Sequence, residues 1–346
     1  MAFDPPQRLR GVTAARITAV VVVHGSPAET VRACVQSLLD SVDVDVHVVL
    51  VDNASQDGGA ACAPWRATPR VTIVRSLRNG GFAAGVNQGL ARQRPGDLVM
   101  LLNDDATVSR EALTRCASQL ATHPEAIAIA PRVMLANEPD RIDSIGVVIR
   151  PNGEAFNAYI GQPWTGQVDD GAEVFGPCFG AGLFRSDAFD TGVVGPVDER
   201  YFLYYEDVDW GLRARRAGWV TVAATDALVH HQHAASTRLL GEPARYELVQ
   251  RNLLLCVTKN FSARRAAGAW AQRLIVHCKG LITGPFRLQR FRSILRAIVG
   301  LPGALAARRR LPVKEPGFDE WGMFESARGL SPNFSTTTYR SSSPLD

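Results

Sequence analysis

Two clusters of acidic side chains, one isolated aspartate, a glycine-rich segment and a run of histidines have types and spacings that could do chemistry. Leu101-Leu102-Asn103-Asp104-Asp105 ends an apolar run in two adjacent carboxylates. Such neighbours repel unless positive charge lies close by. A divalent cation, Mg2+ or Mn2+, shared with a diphosphate would supply it; a solvated turn would need none. Tyr204-Tyr205-Glu206-Asp207-Val208-Asp209-Trp210 puts three carboxylates within four residues, bracketed by aromatics. A positioned carboxylate can take the proton of a sugar hydroxyl, although acids at a helix N-terminus are also favoured by the dipole alone. Asp52 follows the apolar run Val46–Val51, a position open to a ligand contact or a turn former. Arg78–Asn87 is a Gly-rich approach to a helix that could offer backbone N–H groups to phosphate, or could be a plain turn. It has neither the GxGxxG spacing nor the Gly-Lys-Ser/Thr of a phosphate loop. His230-His231-Gln232-His233 reads as metal ligands or as an ordinary loop.

The elements that must hold these residues follow from periodicity. Residues 17–23 form a β-branched, continuously apolar run, as in a parallel strand buried on both faces. Ser26-Pro27 opens a helix with Val31, Val35, Leu38 and Leu39 at helical spacing. Strands follow at Val46–Val51, Val71–Val74, Leu98–Leu102 and Ile127–Ala130, alternating with helices at Phe82–Ala91 and Glu111–Leu120. This alternation predicts an α/β fold with a mostly parallel open sheet flanked by helices. From about residue 140 Gly, Pro and aromatics dominate, and the predicted strands become short and mixed. Leu203–Ala217 and Leu248–Lys259 read as helices.

Bulk properties bound the function. The 346 residues are 46% hydrophobic and 21% charged, a globular composition. No run of eighteen apolar residues suggests a membrane span. Residues 1–16 carry Arg8, Arg10 and Arg16 without an adjoining apolar core, so no secretory signal is expected. The six cysteines are scattered with no CxxC pair, which predicts buried thiols in a reducing cytoplasm. Residues 263–310 hold eleven basic side chains and no acidic one, against a net charge of +4 for the chain. An acidic body with a basic extension is not the footprint of a nucleic-acid-binding core; it predicts that one end meets an anionic surface.

In order, Val49–Gly58, Asn79–Gly89, Leu101–Ala106, Phe179–Arg185 and Val197–Phe202 running into Glu206–Asp209 resemble family 2 glycosyltransferases of the GT-A fold, and more narrowly the bacterial rhamnosyltransferase-like members. The resemblance spans roughly residues 17–260. It implies an inverting, metal-dependent transferase that moves a sugar from a nucleotide diphosphate to a glycan or lipid-linked acceptor in cell-surface synthesis. Asp207 would be the catalytic base. His24, Asp52, Asn53, Asn79, Gly80, Gly81, Asn87 and Asp104 would bind the donor. Asp105 and His231 would hold the metal, with His230 and His233 as alternatives to His231. Gly180, Ala181, Glu206 and Trp210 would meet the acceptor. Asn103 stands where the family's motif begins with Asp, a departure shared by many members of the subgroup.

The expected organisation is an extension over 1–16, a GT-A domain over 17–262 with a nucleotide-binding half (17–130) and an acceptor half (131–262), basic amphipathic helices over 263–310, and a flexible tail over 311–346. In the basic helices, Phe291, Ile294, Leu295, Ile298 and Val299 recur at helical spacing, as do Trp270, Leu274, Cys278 and Leu281. Either these helices pack on the acidic body, or they lie on anionic lipid, worth about 1 kcal/mol per basic residue near the surface. The second reading predicts a cytoplasmic protein peripheral to the inner membrane face. Rival readings are another donor, such as UDP-galactofuranose or UDP-hexose, a non-catalytic nucleotide-binding subunit, and a nicotinamide-dependent oxidoreductase. The missing GxGxxG argues against the last.

Overall fold

The computed structural model describes residues 14–232, 241–312, 314–315, 318–319 and 322–325. Most of the predicted tail, His233 and nearly all of the N-terminal extension lie outside the described residues. β1 (Ala15–Val23) is the strand around which the rest assembles. Its apolar run alternates between two covered faces. Ile17, Ala19, Val21 and Val23 pack under α1 (Ala28–Leu39), while Val20 turns to the other side. β2 (Val44–Asp52) and β3 (Val71–Arg75) add in parallel on one flank. α2 (Gly81–Leu90) then crosses the second face, and β4 (Leu98–Asn103) adds in parallel on the other flank.

Beyond β4 the sheet turns mixed. β5 (Ala106–Val108) and α3 (Ala112–Thr122) lead to β6 (Ala126–Leu135), β7 (Glu138–Ser144), β8 (Val147–Ile149), β9 (Ala155–Asn157), β10 (Glu173–Val174) and β11 (Ala181–Phe184). β11 lies antiparallel between β4 and β6, so the predicted strand at Ile127–Ala130 joins the parallel half only through this reversed strand. After α4 (Glu206–Arg216), β12 (Val220–His231) runs parallel to β6 and antiparallel to β5. Among the described residues the ten-stranded sheet has the order β10-β12-β6-β11-β4-β1-β2-β3, with β5 on β12 and β7 on β6. β8 and β9 form a separate ribbon.

α5 (Glu242–Asn260), α6 (Ala263–Thr283), α7 (Arg287–Arg308) and the short α8 (Gly322–Glu325) complete the described chain. α4 and α5 enclose a second core around Tyr201, Tyr205, Leu254 and Phe261. α5 begins before the predicted Leu248, because Gly241 and Pro243 start it earlier. α4 begins three residues later than predicted. Phe202, Tyr204 and Tyr205 all have positive φ, so the chain cannot become helical until Glu206. Four of the cysteines are buried, Cys178 is half-buried, and Cys278 is exposed on α6, against the expectation of buried thiols throughout.

Candidate active site

A cavity of about 540 Å³ opens at the carboxyl ends of the parallel strands. Its walls include His24, Asn53, Asn79, Gly81, Asp104, Asp105, Gly180, Glu206, Asp207 and His231, so residues from both halves of the chain converge there.

One wall is a hydrogen-bonded mesh. His24 Nδ1 donates to the Asn53 carbonyl at 2.9 Å, leaving Nε2 to accept from Asn79 Nδ2 at 3.1 Å. Asn53 Nδ2 donates to Asn79 Oδ1 and to the Gly81 carbonyl, and its own Oδ1 accepts from the Gly80 N–H at 3.2 Å. The loop is thus fixed at both backbone and side-chain level. Gly81 has φ of +82°, and a Cβ there would stand 2.3 Å from the Phe202 carbonyl. No other residue type fits, because this loop touches the loop that precedes α4.

The acidic wall depends on the sheet. β5 pairs with the end of β12, setting His231 opposite Ala106 and beside Asp105. His231 Nε2 lies 2.9 Å from Asp105 Oδ1 and 3.2 Å from Asn103 Nδ2. On the other side of the ring, Nδ1 lies 2.8 Å from Asp143 Oδ2 at the end of β7. A carboxylate only accepts, so Nδ1 carries a proton toward Asp143; Nε2, beside Asp105, carries one too when the ring is charged, and would ligate a cation only after giving it up. Burial lowers the pKa of His231, but hydrogen bonds to Asp105 and Asp143 overturn that and raise it to about 10. Burial pushes Asp104 up to about 7, even though Ser26 Oγ donates to it at 2.6 Å; Asp105 adds to the rise.

These groups fit a divalent cation. Asp105 Oδ1 and His231 Nε2 lie side by side at the cavity, 2.9 Å apart, and are the groups that would hold such a cation. Among the described residues no cluster of three or more His, Cys, Asp or Glu is disposed to hold a metal. His230 occupies the alternate position on β12 and does not line the cavity.

The third wall is the turn into α4. Three non-glycine residues with positive φ in four positions cost about 1–3 kcal/mol each, and a side chain from α5 holds them. Asn252, fully buried, directs Nδ2 at the carbonyls of Tyr201, Leu203 and Tyr204, at 2.9, 2.9 and 2.8 Å. The strained turn aims Glu206 and Asp207 into the cavity. Burial raises Asp207 to about 6, partly countered by hydrogen bonds from backbone N–H groups, including Val208 at 2.7 Å. Burial and the neighbouring Asp207 push Glu206 well above the carboxylate range, and its Oε2 has no hydrogen-bond partner. Burial thus pushes both carboxyls toward the protonated form, Glu206 further than Asp207.

Several expected site residues stand elsewhere. Trp210 is fully buried, edge-on to Phe184 at 5.2 Å and packed with Phe179 and Phe189. Its ring fills the core and meets no acceptor. Ala181 is buried in β11 behind Gly180, so only Gly180 lines the cavity. Asn87 is a tie between segments: its Nδ2 donates to the Val197 carbonyl and Glu199, and its Oδ1 accepts from the Val197 N–H. Asp52 lies beside the cavity, with Oδ1 accepting from the Ser55 N–H and Oδ2 3.4 Å from Arg75. Gly80 contributes its N–H to the Asn53 mesh and is not itself a lining residue.

Sequence reasoning missed Asp143 and Asn252. A lone Asp in a mostly exposed strand and a single Asn inside an apolar helix carry no pattern; only the buried Asn amid leucines, Asn252-Leu253-Leu254-Leu255, could have drawn attention.

Comparisons with known proteins place the chain in a family. The family model described as glycosyl transferase family 2 matches residues 18–190. The chain is 30% identical over 274 residues to the N-acetylglucosaminyl-diphospho-decaprenol L-rhamnosyltransferase of Mycobacterium tuberculosis, covering 72% of this chain and 85% of that one. A second relative, the succinoglycan biosynthesis protein ExoO of Rhizobium meliloti, is 33% identical over 99 residues, 29% of this chain and 28% of that one. Among solved structures, GalNAc-T7 with UDP, GalNAc and Mn2+ superposes with a TM-score of 0.62 at 13% identity, over 88% of this chain and 59% of that one. S. aureus TarS 1-349 in complex with UDP-GlcNAc gives 0.55 at 14% identity, over 85% and 83%. At such identities the likeness speaks to the fold alone, and that fold is GT-A. With the family model and the mycobacterial relative in agreement, the chain belongs to glycosyl transferase family 2.

Proposed function

We propose that this glycosyltransferase moves a sugar from a nucleotide diphosphate to an acceptor hydroxyl in one inverting displacement, with a divalent cation held by Asp105 and His231. The observation that carries the reading is the cavity itself, where the carboxyl of Asp207 shares one space with Asp105, His231 and the Asn53–Asn79–Gly81 mesh. When bound, the cation would neutralise the diphosphate and ease its departure. Asp143 keeps the proton on His231 Nδ1, so that Nε2 is the ligand atom. The mesh holds the Gly80–Gly81 backbone rigid under the donor. Asp207 takes the acceptor proton as the hydroxyl attacks the anomeric carbon. Protonated Glu206 can donate a hydrogen bond to an acceptor oxygen. One displacement inverts the carbon, and no enzyme nucleophile is needed.

The mycobacterial relative's name supports rhamnose as the transferred sugar and a lipid-diphosphate-linked amino sugar as the acceptor, in cell-wall synthesis. The cavity suits that acceptor: Phe156, Ile160 and Val249 give its lining apolar surface, and Arg245 gives it a cation. On this reading residues 17–130 serve the donor and 131–262 the acceptor. No helix among the described residues is long and apolar enough to cross a membrane. A lipid-linked acceptor would accordingly be met by a protein bound at the inner membrane face.

A panel of nucleoside diphosphates tested by thermal shift, with and without Mn2+, checks this. At least one nucleotide should raise the melting temperature only with Mn2+, and Asp105→Ala should abolish that rise while melting as a folded protein. Nucleotide binding with an unchanged metal requirement in the variant would contradict the assignment.

A further inference from the structure

α6 and α7 are packed inside out. α7 turns Ser293, Ala297 and Ala304 toward the body, all buried, with Gly300 against Leu255 on the same stripe. The opposite stripe carries Leu288, Phe291, Leu295, Ile298 and Leu305, each about half exposed or more, beside Val299 at 74%. α6 repeats the inversion. It buries Arg273 and His277 and exposes Leu274, Ile275, Val276 and Ile282. A helix on a water-facing surface does the reverse. Small residues let α7 lie close against α5, and the large apolar side chains are left outside. Large apolar side chains left exposed along two adjacent helices mark a surface that something covers.

Charge identifies what covers it. Arg264, Lys279, Arg287 and Arg292 are exposed on the same two helices, which contain no acidic residue, and Arg309 and Arg310 are exposed just beyond the end of α7. A second copy would bring like charge against like charge. A nucleic acid would leave the leucines and Phe291 without a partner. An anionic bilayer takes both, the apolar side chains in its acyl region and the basic ones at its headgroups.

The turn between the helices also lies close to the cavity. Phe286 stacks on Tyr246 with ring centroids 5.5 Å apart, and the Arg290 guanidinium lies 5.0 Å from the same ring. Tyr246 is next to Arg245, which lines the cavity.

We infer that the outer face of the α6–α7 hairpin is a docking surface for anionic lipid, lying flat on the bilayer and bringing the cavity mouth to the headgroup layer. The transferase reading supplies its purpose, delivery of a lipid-linked acceptor, but the surface rests on the two helices alone. Sedimentation with vesicles tests it. The full chain should pellet with phosphatidylglycerol vesicles, weakly or not at all with phosphatidylcholine, and less as salt rises. Leu288→Gln, Phe291→Gln and Leu295→Gln together should lower the bound fraction about tenfold or more. Arg287→Glu with Arg292→Glu should remove the preference for anionic lipid. Both variants should keep Mn2+-dependent nucleotide binding, which reports the fold and the active site independently. Equal pelleting with both lipids, none with either, or unchanged pelleting of the variants would overturn the inference. So would a concentration-dependent dimer that the glutamine variant abolishes, since a second copy would then be the occupant.

Discussion

Asp207 and Asp209 stand two residues apart in the first turn of α4, and the surroundings on the two sides of that helix drive them in opposite directions. Asp207 faces the cavity, where no cation is paired with it, and burial raises it to about 6. Asp209 faces the core and would be raised by burial too, but Lys259 and Arg213 hold it below the ordinary carboxylate value. Lys259 Nζ lies 2.7 Å from both Asp209 and Asp198, Arg213 Nε lies 3.0 Å from Asp209, and Tyr201 and Asn260 donate to its other oxygen. One helix thus carries the proposed proton acceptor on one side and an ion-paired anchor on the other. Identical residue types in adjacent positions serve different ends because their neighbours differ.

The comparison can be broken by substitution. Asp207→Asn keeps the shape and removes the acceptor of the proton. Turnover should fall by roughly a hundredfold or more, the ordinary worth of a general base, with donor affinity and thermal stability little changed. Near-normal turnover in steady-state assays would shift the role to Glu206.

Asp209→Ala should do the opposite. It leaves Arg213 and Lys259 short of a buried partner, a loss of about 3–5 kcal/mol for a broken buried pair, read as a lower urea midpoint. Lys259 retains Asp198, so the lower end is expected. Turnover per folded molecule should stay near normal, and a catalytic collapse with full stability would show that the two roles are reversed.

A smaller effect is expected at Asp143→Asn, which touches neither substrate nor cation. Weakening the orientation of His231 should cost about 10–100-fold in metal affinity, measured by titrating Mn2+ into the nucleotide complex. Unaltered Mn2+ affinity would remove Asp143 from the account.

Much of the donor side was legible in the sequence. Continuous apolar runs such as Ile17–Val23 and Val46–Val51 signal strands covered on both faces, and polar residues at their carboxyl ends fall where such sheets bind ligands. The acceptor side was less so. Tyr204 and Tyr205 look like the start of a helix, because left-handed backbone in aromatic residues is imposed from outside, here by Asn252. The family resemblance sets Trp210 at the acceptor, yet helical spacing turns it to the core with Ala214. The meeting of His231 with Asp105 depends on the pairing of β12 with β5, which no local pattern announces.

The pH dependence of turnover, set beside that of stability, tests the central contrast most directly. A base with a raised pKa must be ionised to act. Under saturating donor and Mn2+, kcat should fall about tenfold per pH unit below a midpoint near 6. Asp209 is held below its ordinary value of 3.8, so its stabilisation is fully present above that value and is lost only as pH falls further. Between pH 6 and pH 4 the account predicts a protein that stays folded by circular dichroism while its activity disappears. Loss of activity and fold together near pH 4, with a flat rate above it, would contradict the separation of Asp207 from Asp209.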